Sequence, residues 1–374
     1  MPDLSAWDAV TLYLDLDGNL GSAPDANSYR ITAGLAESTL PRGDYEAAWQ
    51  GNGSTWRATT LPGLVTHPGW RGQHLNDDTD DRGWAMTFKV PYSALGLSAP
   101  PVEGTTWGLA LAVHDRDDAS GTAIPDQVWP ETFTDTSPQT WGQFRFGLYT
   151  YTPPQIAPAG NVKIREEPGN GIVVPDAAMG STVGGPLCPG DPNYIWSTWP
   201  NRNFGTEHQF NIQNQSNIDD WPCFAKYYVT FPLDNVPAGK TIISATLTLY
   251  QWSNNGPRDK ATASYVHVLT VPQPWDESTI TWNTAPLPGE NIDQIWVPVV
   301  DCRDANGHMQ WPCFPRRWDV TGAVAQAYAA GEPLRLALYS SDSDLHSGKL
   351  FTTSETGDWN VAGRPALDIV WGNP

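Results

Sequence analysis

The chain reads as all-β: two consecutive antiparallel β-sandwich domains, jelly-roll-like, with one short helix in the second. Three observations predict this class. The 34 Gly, 34 Pro and 19 Trp among 374 residues describe short strands broken by many turns. Apolar residues alternate with polar ones at period two in several runs, as strands buried on one face require. Helical periodicity is confined to one segment, Asp319 to Ala330.

The first half opens on Trp7-Asp-Ala-Val-Thr-Leu-Tyr-Leu-Asp-Leu-Asp17, a strand pattern running into a carboxylate-rich turn at Asp15, Asp17 and Asn19. Further strands are predicted at Tyr29–Thr32, Tyr45–Trp49 and Gly83–Val90, and Pro91 to Gly96 reads as a one-turn helix. Thr106 to Asp115 is the longest buried strand of this half, and Trp141–Phe146 closes it. Thr150 to Gly160 has Pro at three positions that would each remove a ladder donor, which predicts an extended linker. Asn161 to Val174 reads as a bridging hairpin turning at Glu167-Pro-Gly-Asn-Gly171.

In the second half, Ile243-Ser-Ala-Thr-Leu-Thr-Leu-Tyr250 alternates cleanly, and Trp275-Asp-Glu-Ser-Thr-Ile-Thr-Trp-Asn-Thr-Ala-Pro286 separates strand-like runs. The helix has Asp319 as N-cap, Val320, Val324, Ala327 and Tyr328 on one face, and Gly331 as its stop. Leu334–Tyr339 and Pro365–Trp371 are the closing strands.

The order of these segments resembles the DNRLRE-type module, a β-sandwich of secreted bacterial proteins grouped with carbohydrate-binding modules. The residues that carry it are Asn203-Phe-Gly205 after Tyr194-Ile-Trp196, Tyr228–Leu233, Ile243–Leu249, Trp275–Trp282, Trp318-Asp-Val-Thr321 and Pro365-Ala-Leu367, so that it covers residues 176–372. The first half resembles family-nine carbohydrate-binding modules and their DOMON-like relatives through Asp8–Asp15, Phe88–Leu95, Trp107–Asp115 and Trp141-Gly. Those modules have two or three strands before the segment matching Trp7, so that either the sequence is a fragment of a longer one or another chain fills the gap. The resemblances imply a family-nine-like sandwich at 1–150 lacking its first strands, a linker and hairpin at 151–175, and a DNRLRE-type sandwich at 176–374. On the reading that another chain fills the gap, the missing strands leave a bare sheet edge at Trp7–Asp17 on which a second copy could dock, giving a homo-oligomer or filament.

Lys plus Arg number 21 against 41 Asp plus Glu, a formal charge of −20, which disfavours nucleic acid and anionic membranes as partners. A cation such as calcium is the natural charged partner. No run of about 18 apolar residues occurs, so no membrane-spanning helix is expected. The start lacks the basic and apolar stretches of a signal peptide, so an extracellular or cell-surface location requires a targeting segment outside this numbering.

Of the four Cys, Cys223 and Cys313 each lie in Trp-Pro-Cys-Phe, with Cys188 and Cys302 before them. Three pairings are open. Short-loop closure favours Cys302 with Cys313, leaving Cys188 with Cys223. Reduced, buried thiols are the alternative. The lack of Cys-x-x-Cys spacing argues against zinc.

No Gly-x-Ser-x-Gly elbow, Walker loop or His-Glu-x-x-His is present, and the His residues at 67, 74, 114, 208, 267, 308 and 346 are scattered, so no enzyme is predicted. The pair Asp276-Glu277 could serve glycoside cleavage, yet its place at a strand entry reads better as a turn. Calcium needs several oxygens converging from loops. Asp15, Asp17 and Asn19 open like an EF-hand loop but reach Ala26 where its bidentate Glu belongs, so Asp115 and Asp117, with Asp118 and the Asp77–Asp81 run, are the candidate remaining ligands.

Sugar binding requires flat aromatic faces for the C–H side of a pyranose and amides, carboxylates or guanidinium groups for its hydroxyls. Trp49, Trp56, Trp70 and Trp129 in the first half, and Trp196, Trp199, Trp252 and Trp359 in the second, fall in loop-rich stretches and are the candidates. Trp84, Trp107, Trp275, Trp282 and Trp318 sit in strand motifs and are assigned to the core. The expected function is therefore non-catalytic attachment of a larger secreted or surface protein to polysaccharide. A structural subunit of an extracellular filament or cell-surface assembly is the alternative.

Overall fold

A computed structural model describes residues 4, 8–18, 21–36, 41–70, 84–116, 124–148, 151–180, 201–213, 225–255, 258–341 and 346–374. It divides into two compact units, Met1–Gly147 and Leu148–Pro374. All described strand pairs are antiparallel, and one α-helix occurs among the described residues, so the chain is all-β.

The first unit holds β1 (Ala9–Asp15), β2 (Ser28–Gly34), β3 (Glu46–Gly51), β4 (Trp56–Thr59), β5 (Val65–Trp70), β6 (Trp84–Lys89), β7 (Thr106–His114), β8 (Gln127–Trp129) and β9 (Gly142–Arg145). Its seven-stranded sheet runs β4-β3-β2-β1-β7-β8, with β9 also on β7, and β5 and β6 pair as a separate hairpin. The expectation of a bare edge here is overturned: β1 pairs with β2 on one side and β7 on the other, over its whole length.

Period two sorts the side chains of β1. Leu12 and Leu14 face Tyr29, Ile31, Ala48 and Leu95 in one core, joined by Phe88 and Val90. Tyr13 faces the opposite side, where its ring lies 4.8 Å from Phe133 and 5.4 Å from Trp141. Trp56 lies parallel to Trp141, 4° apart in plane at 6.2 Å. Its indole N–H donates to Asp135 Oδ1 at 2.8 Å, and Asp135 Oδ2 is 3.5 Å from Arg30 Nη1. Arg30 in turn lies over Trp49, 4.6 Å from the ring centre. Burial, reinforced by the Asp135 charge, pushes the Tyr13 hydroxyl well above its ordinary pKa.

The second unit holds β10 (Pro158–Ile164), β11 (Asp176–Gly180), β12 (Gln209–Ile212), β13 (Ala225–Phe231), β14 (Thr241–Asn254), β15 (Ser264–Thr270), β16 (Asn291–Val297), β17 (Phe314–Asp319), α1 (Thr321–Ala330), β18 (Leu334–Ser340), β19 (Lys349–Thr352) and β20 (Ala366–Gly372). A six-stranded sheet in the order β10-β20-β14-β19-β12, with β17 also on β14, faces a five-stranded sheet in the order β11-β13-β18-β15-β16. Residues 158–164 are thus neither linker nor hairpin: they form β10, which pairs with β20, while β11 joins the other sheet. Pro158 is tolerated because β10 ends the strand order, where a missing ladder donor is harmless.

The core lies between these sheets. A bulge between Ile242 and Ser244 reverses the phase of β14, so Ile242, Ala245, Leu247 and Leu249 all point inward and Ile243 does not. Trp318 of β17 is fully buried, and its indole N–H reaches Val266 O of the facing sheet at 3.3 Å. The helix begins at Thr321, with Val320 rather than the expected Asp319 at its N-cap; Asp319 lies one residue earlier, where its Oδ1 accepts the Thr321 N–H at 2.9 Å. It stops at Gly331, left-handed at φ 70°, whose N–H returns to the last turn. Cys302 and Cys313 are disulfide-bonded, with Cα atoms 5.4 Å apart, whereas Cys188 and Cys223 lie outside the described residues.

Trp318→Ala is expected to cost about 3–5 kcal/mol in denaturant-measured stability, through the cavity it leaves. Reducing Cys302–Cys313, which are 11 residues apart, should cost about 3 kcal/mol by the loop-entropy estimate. In the first unit, Asp135→Ala strands an indole N–H and a guanidinium, at about 1–2 kcal/mol. Asp135→Asn keeps an acceptor and should recover part of that loss in the same thermal melts.

Candidate functional site

The long strand β14 carries Trp252 past the point where the period-two pattern ends at Tyr250, and this indole lines a pocket of about 110 Å³. Ser253, Asn254, Arg258, Val300, Asp301, Arg303 and Met309 complete the lining. Asn254 ties the strand to the 298–301 segment in both directions: its amide donates to Val300 O at 2.6 Å, and Val300 N–H donates to its Oδ1 at 3.2 Å. Asp301 is engaged by Arg258 at 2.7 Å and by the Arg303 N–H at 3.1 Å.

The disulfide staples the next loop against this wall. Within it Asp304 Oδ1 accepts the N–H groups of Asn306 and His308, at 2.8 and 2.9 Å, which folds the loop tip locally. Just before Cys313, the loop presents Trp311 at 6.2 Å from Trp252. Trp359, on the short helical turn Asp358–Gly363, meets Trp311 edge-on at 5.1 Å and is 67% exposed. Arg364 anchors that turn by donating to Asp358 at 2.9 Å and to Thr356 O at 2.8 Å. Three indoles therefore step outward from a polar pocket, which suits a ligand with both C–H faces and hydroxyls.

Of the candidate aromatics, Trp252 and Trp359 are brought together here through Trp311. That residue was missed because only the cysteine of its Trp-Pro-Cys-Phe drew a reading; an indole two residues before a loop-closing Cys was the available signal. Arg258, Asp301 and Arg303 had no signal, since separate segments bring them together. Trp49 and Trp56 are engaged by Arg30 and Asp135 and do not form an open platform. Trp129 is 47% exposed and lies across Gly142, where an added Cβ would come within 2.5 Å of its ring. Trp49, Trp56, Trp70, Trp129 and Trp252 all stand on strands, not loops. Trp196, Trp199 and the side chain of Trp70 lie outside the described residues. Trp296, also missed, is 64% exposed on β16 beside Tyr265, with ring centres 4.9 Å apart.

The acidic residues gather differently from the sequence expectation. Asp15 pairs with Gly108, whereas Asp115 follows His114, which pairs with Ala9. Asp15 and Asp115 therefore sit at opposite ends of the β1–β7 ladder, about 20 Å apart at strand rise, and cannot share one ion. Asp17 accepts from the Asn27 amide at 2.9 Å, and Asn19, Asp117, Asp118 and Asp77–Asp81 lie outside the described residues. Asp276 and Glu277 part company. Asp276 is exposed and accepts Ser278 N–H at 2.9 Å, shaping a turn, whereas Glu277 turns inward and accepts Asp176 N–H at 2.7 Å.

No curated protein matches the chain. Among solved structures, a family-nine carbohydrate-binding module from Caldicellulosiruptor kristjanssonii in complex with glucose is 14% identical, with a TM-score of 0.26, over 41% of this chain and 66% of that one, just under two thirds of its length. The mosquito-larvicidal Cry4Aa toxin of Bacillus thuringiensis is 7% identical, with a TM-score of 0.17, over 98% of this chain and 52% of the toxin. A structure of infectious bursal disease virus is 8% identical, with a TM-score of 0.13, over 97% of this chain and 72% of that one. Likenesses this weak carry no argument. The sequence match does: residues 187–361, which include Trp252, Trp311 and Trp359, match carbohydrate-binding module family 96, and the second unit contains a carbohydrate-binding module-like domain.

Proposed function

We propose that the chain binds polysaccharide through the Trp252, Trp311 and Trp359 surface of its second unit, and that it does so outside the cell without cleaving its ligand. The observation that carries this reading is the stepped indole surface beside a hydrogen-bonding pocket, inside the segment that matches a carbohydrate-binding family. An indole face packs against the C–H side of a sugar ring, while Asn254, Arg258 and Asp301 offer donors and acceptors for hydroxyls.

Glycosidic cleavage ordinarily needs two carboxyl groups flanking the bond. Among the described residues the pocket lining holds one, Asp301, engaged by Arg258. The disulfide supports an oxidising compartment, where such bonds persist.

In affinity electrophoresis through gels containing single polysaccharides, the intact chain should be retarded by at least one. Trp359→Ala, at an exposed position, should weaken that retardation at least about tenfold, the loss of a central aromatic contact worth about 1.4 kcal/mol or more. Trp311→Ala should do the same, with no reducing ends released by either form. Retardation by no glycan, or retardation unchanged in both variants, would overturn the reading.

A further inference from the structure

Three carboxyl groups converge inside the second unit from segments far apart in the chain. Asp176 opens β11, Glu277 belongs to the Trp-Asp-Glu turn, and Glu355 follows β19, so both sheets contribute. One carboxylate oxygen from each lies within 4.8 Å of the others. Asp176 is wholly buried. Its Oδ2 accepts the Tyr227 hydroxyl at 2.7 Å and the Ser354 N–H at 2.6 Å, which clamps the group in place.

Asp176 Oδ1 has no hydrogen-bond donor, and neither has the buried Oε2 of Glu355. A fully buried carboxylate oxygen without a donor is costly unless a cation or a proton faces it. No lysine or arginine forms an ion pair with any of the three among the described residues. Burial, together with the charge of the neighbouring carboxylates, pushes Glu277 and Glu355 above the usual carboxylate range, and burial does the same to Asp176. One shared proton could join two of these groups and would leave the third charged.

We infer that Asp176, Glu277 and Glu355 form a cation site that takes a calcium ion and pins the two sheets of the second unit together. All the donors are hard oxygens. The site is buried, which disfavours magnesium because that ion dehydrates reluctantly, whereas calcium accepts protein oxygens in irregular geometry. The ion would link the start of β11, the Trp275–Trp282 turn and the segment after β19, which are otherwise joined by single hydrogen bonds such as Glu277 Oε1 to Asp176 N–H. This inference is independent of the sugar-binding reading.

The test uses the intact chain, stripped with chelator and dialysed against calcium alone. About one ion per chain should be retained, and at a hundredfold excess of free calcium over Kd the melting transition of the second unit should rise by roughly 5–10 °C. Terbium should bind in place of calcium with emission sensitised through Tyr227, and calcium should displace it. Glu355→Gln and Asp176→Asn should each weaken calcium binding at least tenfold, while Asp15→Asn should leave it unchanged. Should Asp176→Asn fail to fold, Glu355→Gln and the calcium response of the unaltered chain still decide. No retained calcium with an unmoved melting transition would overturn the site. So would a Glu355→Gln chain that is as stable as the parent with no calcium response in either, the result expected of a shared proton. Undiminished binding in both variants would place the ion elsewhere and overturn it equally.

Discussion

The second unit depends on the pairing of one strand. Over its fourteen residues β14 pairs with β20, β17 and β19, and its inward residues supply the middle of the core. A bulge near its start sets which parity faces inward, because each added residue flips every later side chain to the other face. The same strand ends in Trp252 and Asn254, so the pocket wall is an extension of the most heavily paired element in the fold. A ligand contact built on a strand is held more rigidly than one on a free loop, which lowers the ordering cost of binding. The disulfide extends this logic by tying the loop that carries Trp311 back to Cys302, next to the pocket-lining Asp301 and Arg303.

Buried polarity is handled differently at different places in the chain. In the first unit, Thr11 bridges Thr32 and His114 at 2.9 Å each, His114 Nδ1 is 2.9 Å from Asp126, and Asp126 takes Arg116 at 3.0 Å. Burial acts upward on Asp126, yet the hydrogen bonds from Arg116 and His114 outweigh it and hold the carboxyl below its usual value. In the second unit, the ammonium of buried Lys349 donates to Thr262 O at 2.5 Å and Ser347 O at 2.6 Å. Both arrangements supply partners from within the chain. The cluster of Asp176, Glu277 and Glu355 gathers charge of one sign instead, which makes it the exception to that pattern.

Strands β1, β2, β3, β6, β7, β9, β14, β18 and β20 were legible in the sequence because period-two alternation is a local property, and so was the helix stop at Gly331, since only glycine readily takes its left-handed angle. Trp107 and Trp318 were legible as core for the same reason, lying in strand motifs with apolar neighbours. The phase of β14 was not, because a bulge leaves no mark in the hydrophobic pattern before it. Nor was the β10 strand, since prolines that break a central strand are harmless at an edge and only the sheet order reveals the edge.

The sites show the division most clearly. Asp15 and Asp115 look like partners in sequence, but antiparallel register sends them to opposite ends of one ladder. Asp176, Glu277 and Glu355 look unrelated, being 101 and 78 residues apart in turn, yet the two sheets bring their oxygens together. The sequence by itself determined the all-β class, the strands with clean period-two alternation and the aromatic richness from which a binding surface could be made, because these follow from residue type and local spacing. Which indoles meet beside a pocket, and which carboxylates share a buried space, only the tertiary structure decided, because those contacts depend on strand order and register, which couple residues too distant for any local pattern to record.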